Sequence, residues 1–248
     1  MSALSRVTLL GVPLDPVTTH EAVVRLMALL EDPAPHHVAT PNSEMLVEAH
    51  RNAAFRRVLQ HAALNLPDSV GLLFMARFTG QNLPARVTGV DTVHALCARL
   101  PADHPVFLLG APPGIAPMAA AALIAKNLEL RIVGTFSGSP RSEDAQAMID
   151  RINAASPHLL LVAFGAPAQD LWIADHLKDL PSVRVAMGVG GTFDFLAGER
   201  ARAPRVFQYL GLEWLWRLVL EPRRWKRIWN AVVVFPLLVV RHRQNRSS

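Results

Sequence analysis

The chain has 248 residues, is 51% hydrophobic, and carries 25 Lys and Arg against 20 Asp and Glu. That is enough apolar material for one large domain or two small ones. A single cysteine, Cys97, excludes an internal disulfide and a cysteine-built zinc site, and points to a reducing compartment. No run of 18 apolar residues suggests a conventional transmembrane helix, and MSALSRVTLLGV lacks the apolar core and cleavage site of a signal peptide. The charge is uneven. Residues 200–248 hold 11 basic and 2 acidic residues, net +9, which leaves 14 minus 18, or −4, for residues 1–199. A near-neutral body with a basic tail implies an acidic partner met by the tail.

In chain order, RVTLLGV (6–12) predicts a strand and THEAVVRLMALLED (19–32) a helix with Val23, Leu26, Met27 and Leu30 on one stripe. HHVAT (36–40) is a short strand. A helix follows through SEMLVEAHRNAAFRRVLQHA, capped by Asn42 or Ser43. ALNLP (63–67) is a strand, DSVGLLFMARFTG a helix, and Asp91 is the expected cap of a helix over 92–100. The second half alternates more cleanly. Strands are expected at 105–111, 130–136, 158–167 and 183–191, with helices at 114–128, 142–154 and 169–179. Strands apolar throughout, joined by helices of about a dozen residues, predict a parallel sheet buried on both faces. Ligands of such sheets bind beyond the carboxyl ends of the strands.

Those ends carry the candidate chemistry. Thr40 and Asn42, in T-P-N, suit sugar or phosphate oxygens, or simply cap a helix. Asp68, in LPDSVG, is a candidate general base at a cleft, or again a cap. GAPPG (110–114) has two prolines without N–H donors and fails G-x-G-x-x-G, so it is a plain turn rather than a dinucleotide loop. Gln169 opens a helix, where it either holds a ligand amide or hydroxyl or belongs to a solvated first turn. GVGGTFDFLAG (188–198) is the strongest nucleotide signal. Gly190 and Gly191 allow close backbone approach to a phosphate, and Asp194 is placed to accept from a ribose or uracil group. The ten histidines show no metal-ligand spacing, and neither D-x-D at a strand end nor G-x-S-x-G occurs.

From Pro222 the pattern is helical, with Pro236 expected to kink or end it. On a wheel of about 100° per residue, Trp225, Ile228, Trp229, Val232, Phe235 and Val239 share one arc. Arg223, Lys226, Arg227 and Asn230 lie opposite, with Arg224 on the border. A basic face opposite a tryptophan-edged apolar face fits a membrane interface. Packing on the chain's own body or on another subunit is the alternative. Nucleic-acid binding ranks last, because the tryptophans share their face with Ile, Val and Phe.

The ordered set TPNSEM, LPDSVG, ARVTGVD, FLLGAPPG, GAPAQDLW, GVGGTFDFLAGERARAP and LEWLWRLVLEPRRWKR resembles the WecG/TagA/CpsF family of bacterial glycosyltransferases, from about residue 38 to 230. The resemblance implies an α/β, Rossmann-like parallel sheet with helices on both faces (1–203) and a C-terminal basic amphipathic appendage (204–248) that associates with membrane. It implies an inverting transfer of N-acetylmannosamine or its uronic acid from UDP to a polyprenyl-diphosphate-linked GlcNAc, without a metal or other cofactor. Another donor, such as UDP-glucose, or a non-catalytic nucleotide-binding membrane scaffold are the alternatives. Asp68 matches the proposed base, Thr40 and Asn42 the T-x-N element, and Arg86 and Gln169 polar residues of the same pocket. Arg217, Arg224 and Arg227 match appendage arginines that meet diphosphate. The implied partners are a UDP-sugar, the lipid-linked acceptor and an anionic membrane on its cytoplasmic face, with no nucleic acid; self-association is left open. Ser69, Ala168 and Asp170 depart from the family pattern, where glycine, a basic residue and glutamate are usual.

Overall fold

The computed structural model describes residues 5–200, 203–204, 207 and 213–244. It is an α/β protein built on a six-stranded sheet, parallel throughout, of order β4-β3-β8-β7-β5-β6. The strands are β3 (His36–Ala39), β4 (Leu64–Asn65), β5 (Val106–Gly110), β6 (Ile132–Phe136), β7 (Leu159–Ala163) and β8 (Val185–Gly188). Helices cover both faces. Val106 and Leu108 of β5 pack with α1 (Thr19–Glu31), α5 (Gly89–Cys97) and α6 (Ile115–Ile124). Phe107 and Leu109 face the opposite layer, with α7 (Ser142–Ala155) and α8 (Ala168–His176). The period of two along a strand explains why these strands are apolar throughout: both faces are core.

Local chemistry moved several boundaries. Residues 6–12 are not one strand. β1 (Val7–Leu9) and β2 (Val12–Leu14) form a separate antiparallel hairpin, turned by Leu10 and Gly11 at φ +50° and +80°. The long helix expected after Asn42 breaks at Asn52 into α2 (Ser43–Arg51) and α3 (Ala53–His61), because the Asn52 side chain accepts from the Phe55 N–H and starts a second helix. Thr88, not Asp91, caps α5; its hydroxyl accepts from the Asp91 N–H and donates to the Asp91 carboxylate. GAPPG is a turn, as expected, and Gly110 takes glycine for two reasons: its φ is +98°, and a Cβ there would stand 2.9 Å from the Ala163 carbonyl.

The C-terminal appendage is helical. It comprises α10 (Glu213–Leu220), a 3₁₀ turn, α11 (Trp225–Trp229), a π turn over Asn230–Val234, and α12 (Phe235–Gln244). Pro236 neither ends nor breaks it: the widened π turn just before accommodates the proline ring at the second position of α12. The π turn also rotates the later residues. Trp225, Trp229 and Val232 are exposed, whereas Phe235 and Val239 are buried in the cluster of the hairpin, α2 and α4 (Val70–Phe78). No helix among the described residues is long and apolar enough to cross a membrane.

Cys97 is fully buried at the end of α5, and burial pushes its thiol up to about 12. At neutral pH it is a protonated core side chain, and the thiolate is the reactive form. The folded protein is therefore expected to leave a thiol reagent such as DTNB unreacted at pH 8, and to react fully once unfolded in denaturant.

Candidate functional site

The carboxyl ends of β3, β5, β7 and β8 open onto a cleft of about 280 Å³, lined on those strands' side by Thr40, Ala111, Gly165 and Gly190. Beside it, between the start of α4 and the appendage, lies a more apolar hollow of about 490 Å³, walled by Val70, Phe74, Ile228, Val232 and Pro236. Asn42, Asp68 and Arg227 line both. The site thus has a polar half and an apolar half, with one carboxylate where they meet.

Asp68 follows β4 but does not cap α4; Ser69 holds the cap position. One Asp68 oxygen accepts from the Gly89 N–H at the start of α5, at 3.2 Å. The other faces the Arg86 Nε at 3.7 Å. The side chain is about a quarter exposed, so the carboxylate is oriented from two sides yet open to the cleft. Ser69 lines the apolar hollow, and its hydroxyl pairs with that of Ser43 at 2.9 Å and accepts the Ser43 N–H. Gly71 has a packing reason, because a Cβ would stand 2.6 Å from the Ser43 hydroxyl.

Thr40 is buried and its hydroxyl donates to the Gly188 carbonyl at 3.0 Å, tying the end of β3 to the end of β8. Asn42 caps α2, its side-chain oxygen accepting the Met45 N–H. Gln169 is not in a solvated turn. It is buried, and its oxygen accepts from both the Gly165 N–H (3.1 Å) and the Gly190 N–H (2.9 Å). One amide oxygen therefore braces the loops after β7 and β8. Asp170 is completely buried against the His37 ring at 3.2 Å and stands outside the cleft wall.

Gly191 is exposed beside Asp194, whose carboxylate is engaged by Arg200 at 3.3 Å. Arg200 also lines the cleft and reaches Glu221 of the appendage at 3.6 Å. The sequence reading missed Arg200; its signal was the run of basic residues directly after the glycine segment. Arg227 is brought to the site, donating from Nε to Glu44 of α2 at 2.7 Å. The appendage therefore lies against the cleft of its own chain. The side chains of Arg217 and Arg224 lie outside the described residues. Among the described residues no group of three or more His, Cys, Asp or Glu is placed to hold a metal ion.

A carboxylate at the mouth of a strand-end cleft, an apolar hollow alongside it and arginines at the rim fit group transfer between a polar and an amphiphilic substrate. The chain also matches the model of the glycosyl transferase WecG/TagA/CpsF family over residues 7–248, essentially its whole length. It belongs to that family and is a glycosyltransferase.

Proposed function

We propose that this protein is an inverting transferase that moves a sugar, N-acetylmannosamine or its uronic acid, from UDP to a polyprenyl-diphosphate-linked GlcNAc at the cytoplasmic face of a membrane. The observation that carries the reading is the position of Asp68 on the walls of both hollows. In this reading UDP-sugar occupies the polar cleft, and the first part of the acceptor lipid occupies the apolar hollow.

The acceptor hydroxyl oxygen attacks the sugar C1 as Asp68 takes its proton. The bond from C1 to the diphosphate oxygen breaks, and UDP leaves with that electron pair. Attack from one side and departure from the other invert C1. Negative charge grows on the leaving diphosphate, where the guanidinium groups of Arg200 and Arg227 lie within the same cleft. No metal is invoked. Of the departures from the family pattern, Ser69 pairs with Ser43, and Asp170 meets the His37 ring with one oxygen and stands outside the cleft wall, so neither intrudes on Asp68.

The test is a panel of UDP-sugars, UDP-glucose included, offered with a short-chain GlcNAc-diphosphate-lipid, with product mass and anomeric configuration as readouts. One donor is expected to give a β-linked disaccharide-lipid, with and without EDTA. If no UDP-sugar gives product and UDP itself does not bind, the reading fails; loss of product in EDTA removes its metal-free form.

A further inference from the structure

Helix α4 presents two apolar faces. Leu72, Met75 and Ala76 are buried in the core. Val70, Phe74 and Phe78, spaced four residues apart on the other face, are exposed, Phe74 to 70%. Isolated exposed apolar residues are ordinary, but a stripe holding two phenylalanines on one helix face is not. The stripe adjoins the appendage. Val70 and Phe74 share the hollow with Ile228 and Val232. Arg243 donates to the Phe78 carbonyl at 2.7 Å, with its guanidinium 5.5 Å from the Phe78 ring. On the appendage, next in sequence to the hollow-lining Ile228 and Pro236 or one turn before them, Trp225, Trp229 and Leu237 are all more than half exposed. The Lys226 ammonium lies 5.7 Å from the Trp225 ring.

The charge on these two segments has one sign. Residues 70–78 contain Arg77 and no acid; residues 222–244 contain Arg223, Arg224, Lys226, Arg227, Arg241 and Arg243 and no acid. Of these seven cations, Arg227 is paired with Glu44 on the wall of the hollow; neither segment supplies a carboxylate of its own. Exposed aromatic rings with cations beside them suit an anionic lipid headgroup layer, where the rings enter the interface and the cations meet phosphate. A protein partner would leave those cations to be matched one by one.

We propose that α4 and the appendage together form a single docking face for an anionic bilayer, with the hollow beside Asp68 as its mouth. The body of the enzyme, and not the tail alone, then touches lipid. This rests on the reading of a lipid-linked acceptor. It adds that the acceptor is taken directly from the bilayer, its lipid never crossing water.

The experiment uses the full chain and sedimentation with vesicles of phosphatidylglycerol and phosphatidylcholine, alongside vesicles of phosphatidylcholine alone. Phe74→Ser/Phe78→Ser and Trp225→Ser/Trp229→Ser are compared with wild type. Wild type is expected to prefer the anionic vesicles, and each double variant to bind them at least about tenfold more weakly. UDP affinity and melting temperature check that the α4 variant is folded. Binding of the α4 variant within about twofold of wild type overturns the proposal, as does a wild type that ignores anionic vesicles. So does a wild-type dimer that the α4 variant converts to monomer without loss of vesicle binding, which would make the occupant a second copy. A short, water-soluble acceptor separates this from the transfer reading: product formed without vesicles leaves the chemistry standing even where docking fails.

Discussion

Asp68→Asn is expected to bind UDP within about twofold of wild type and to transfer sugar about 10²–10⁴-fold more slowly, the range removed with a general base. Asparagine has the shape of aspartate, and its remaining oxygen can keep the bond from the Gly89 N–H. What it cannot do is take a proton from the acceptor hydroxyl. The loss should therefore fall on kcat with the short-chain acceptor. The measurement is single-turnover transfer beside calorimetric UDP binding. Transfer at near-normal rates by Asp68→Asn would remove Asp68 as the base. Loss of UDP binding would instead make the Asp68–Arg86–Gly89 contacts a support of the donor cleft.

The buried strands were legible because their residues do one thing. β5, β7 and β8 are core on both faces, so their apolar runs have no other reading. The strand-end rule likewise pointed to Asp68, Gly190 and Gly191, and all three line the strand-end cleft. Local choices between near-equal alternatives were less legible. The helical pattern runs straight through Asn52, and only the captured Phe55 N–H reveals the break. In the appendage an ideal wheel puts Phe235 and Val239 with the tryptophans, and the π turn separates them. Pairings across the chain were not legible at all. Arg227 with Glu44, and Arg200 with Asp194 and Glu221, join residues that no local pattern connects.

Gln169→Leu is expected to unfold at lower temperature and to weaken UDP binding by at least about tenfold. The reason is the position of its oxygen, which accepts two backbone N–H groups from two loops. Removing it leaves both donors without that partner, at about 1–3 kcal/mol for each that stays buried. Gly188 packs directly against this side chain, since a Cβ added there would stand 2.7 Å from the Gln169 Nε2. The loops of Gly165 and Gly190 would move, and Gly190 with Gly191 forms the floor beside Asp194 and Arg200. Gln169→Glu separates the two roles this residue can have. Glutamate keeps the accepting oxygens and loses the NH₂ group. Positioning through the loops predicts that glutamate restores most UDP affinity, less a cost for a second carboxylate next to buried Asp170. Direct donation from the NH₂ group to a substrate predicts that glutamate fails as leucine does, even where its melting temperature falls less than that of leucine. Calorimetric UDP affinity set beside thermal denaturation of the two variants therefore decides whether Gln169 acts on the substrate or on the backbone that receives it.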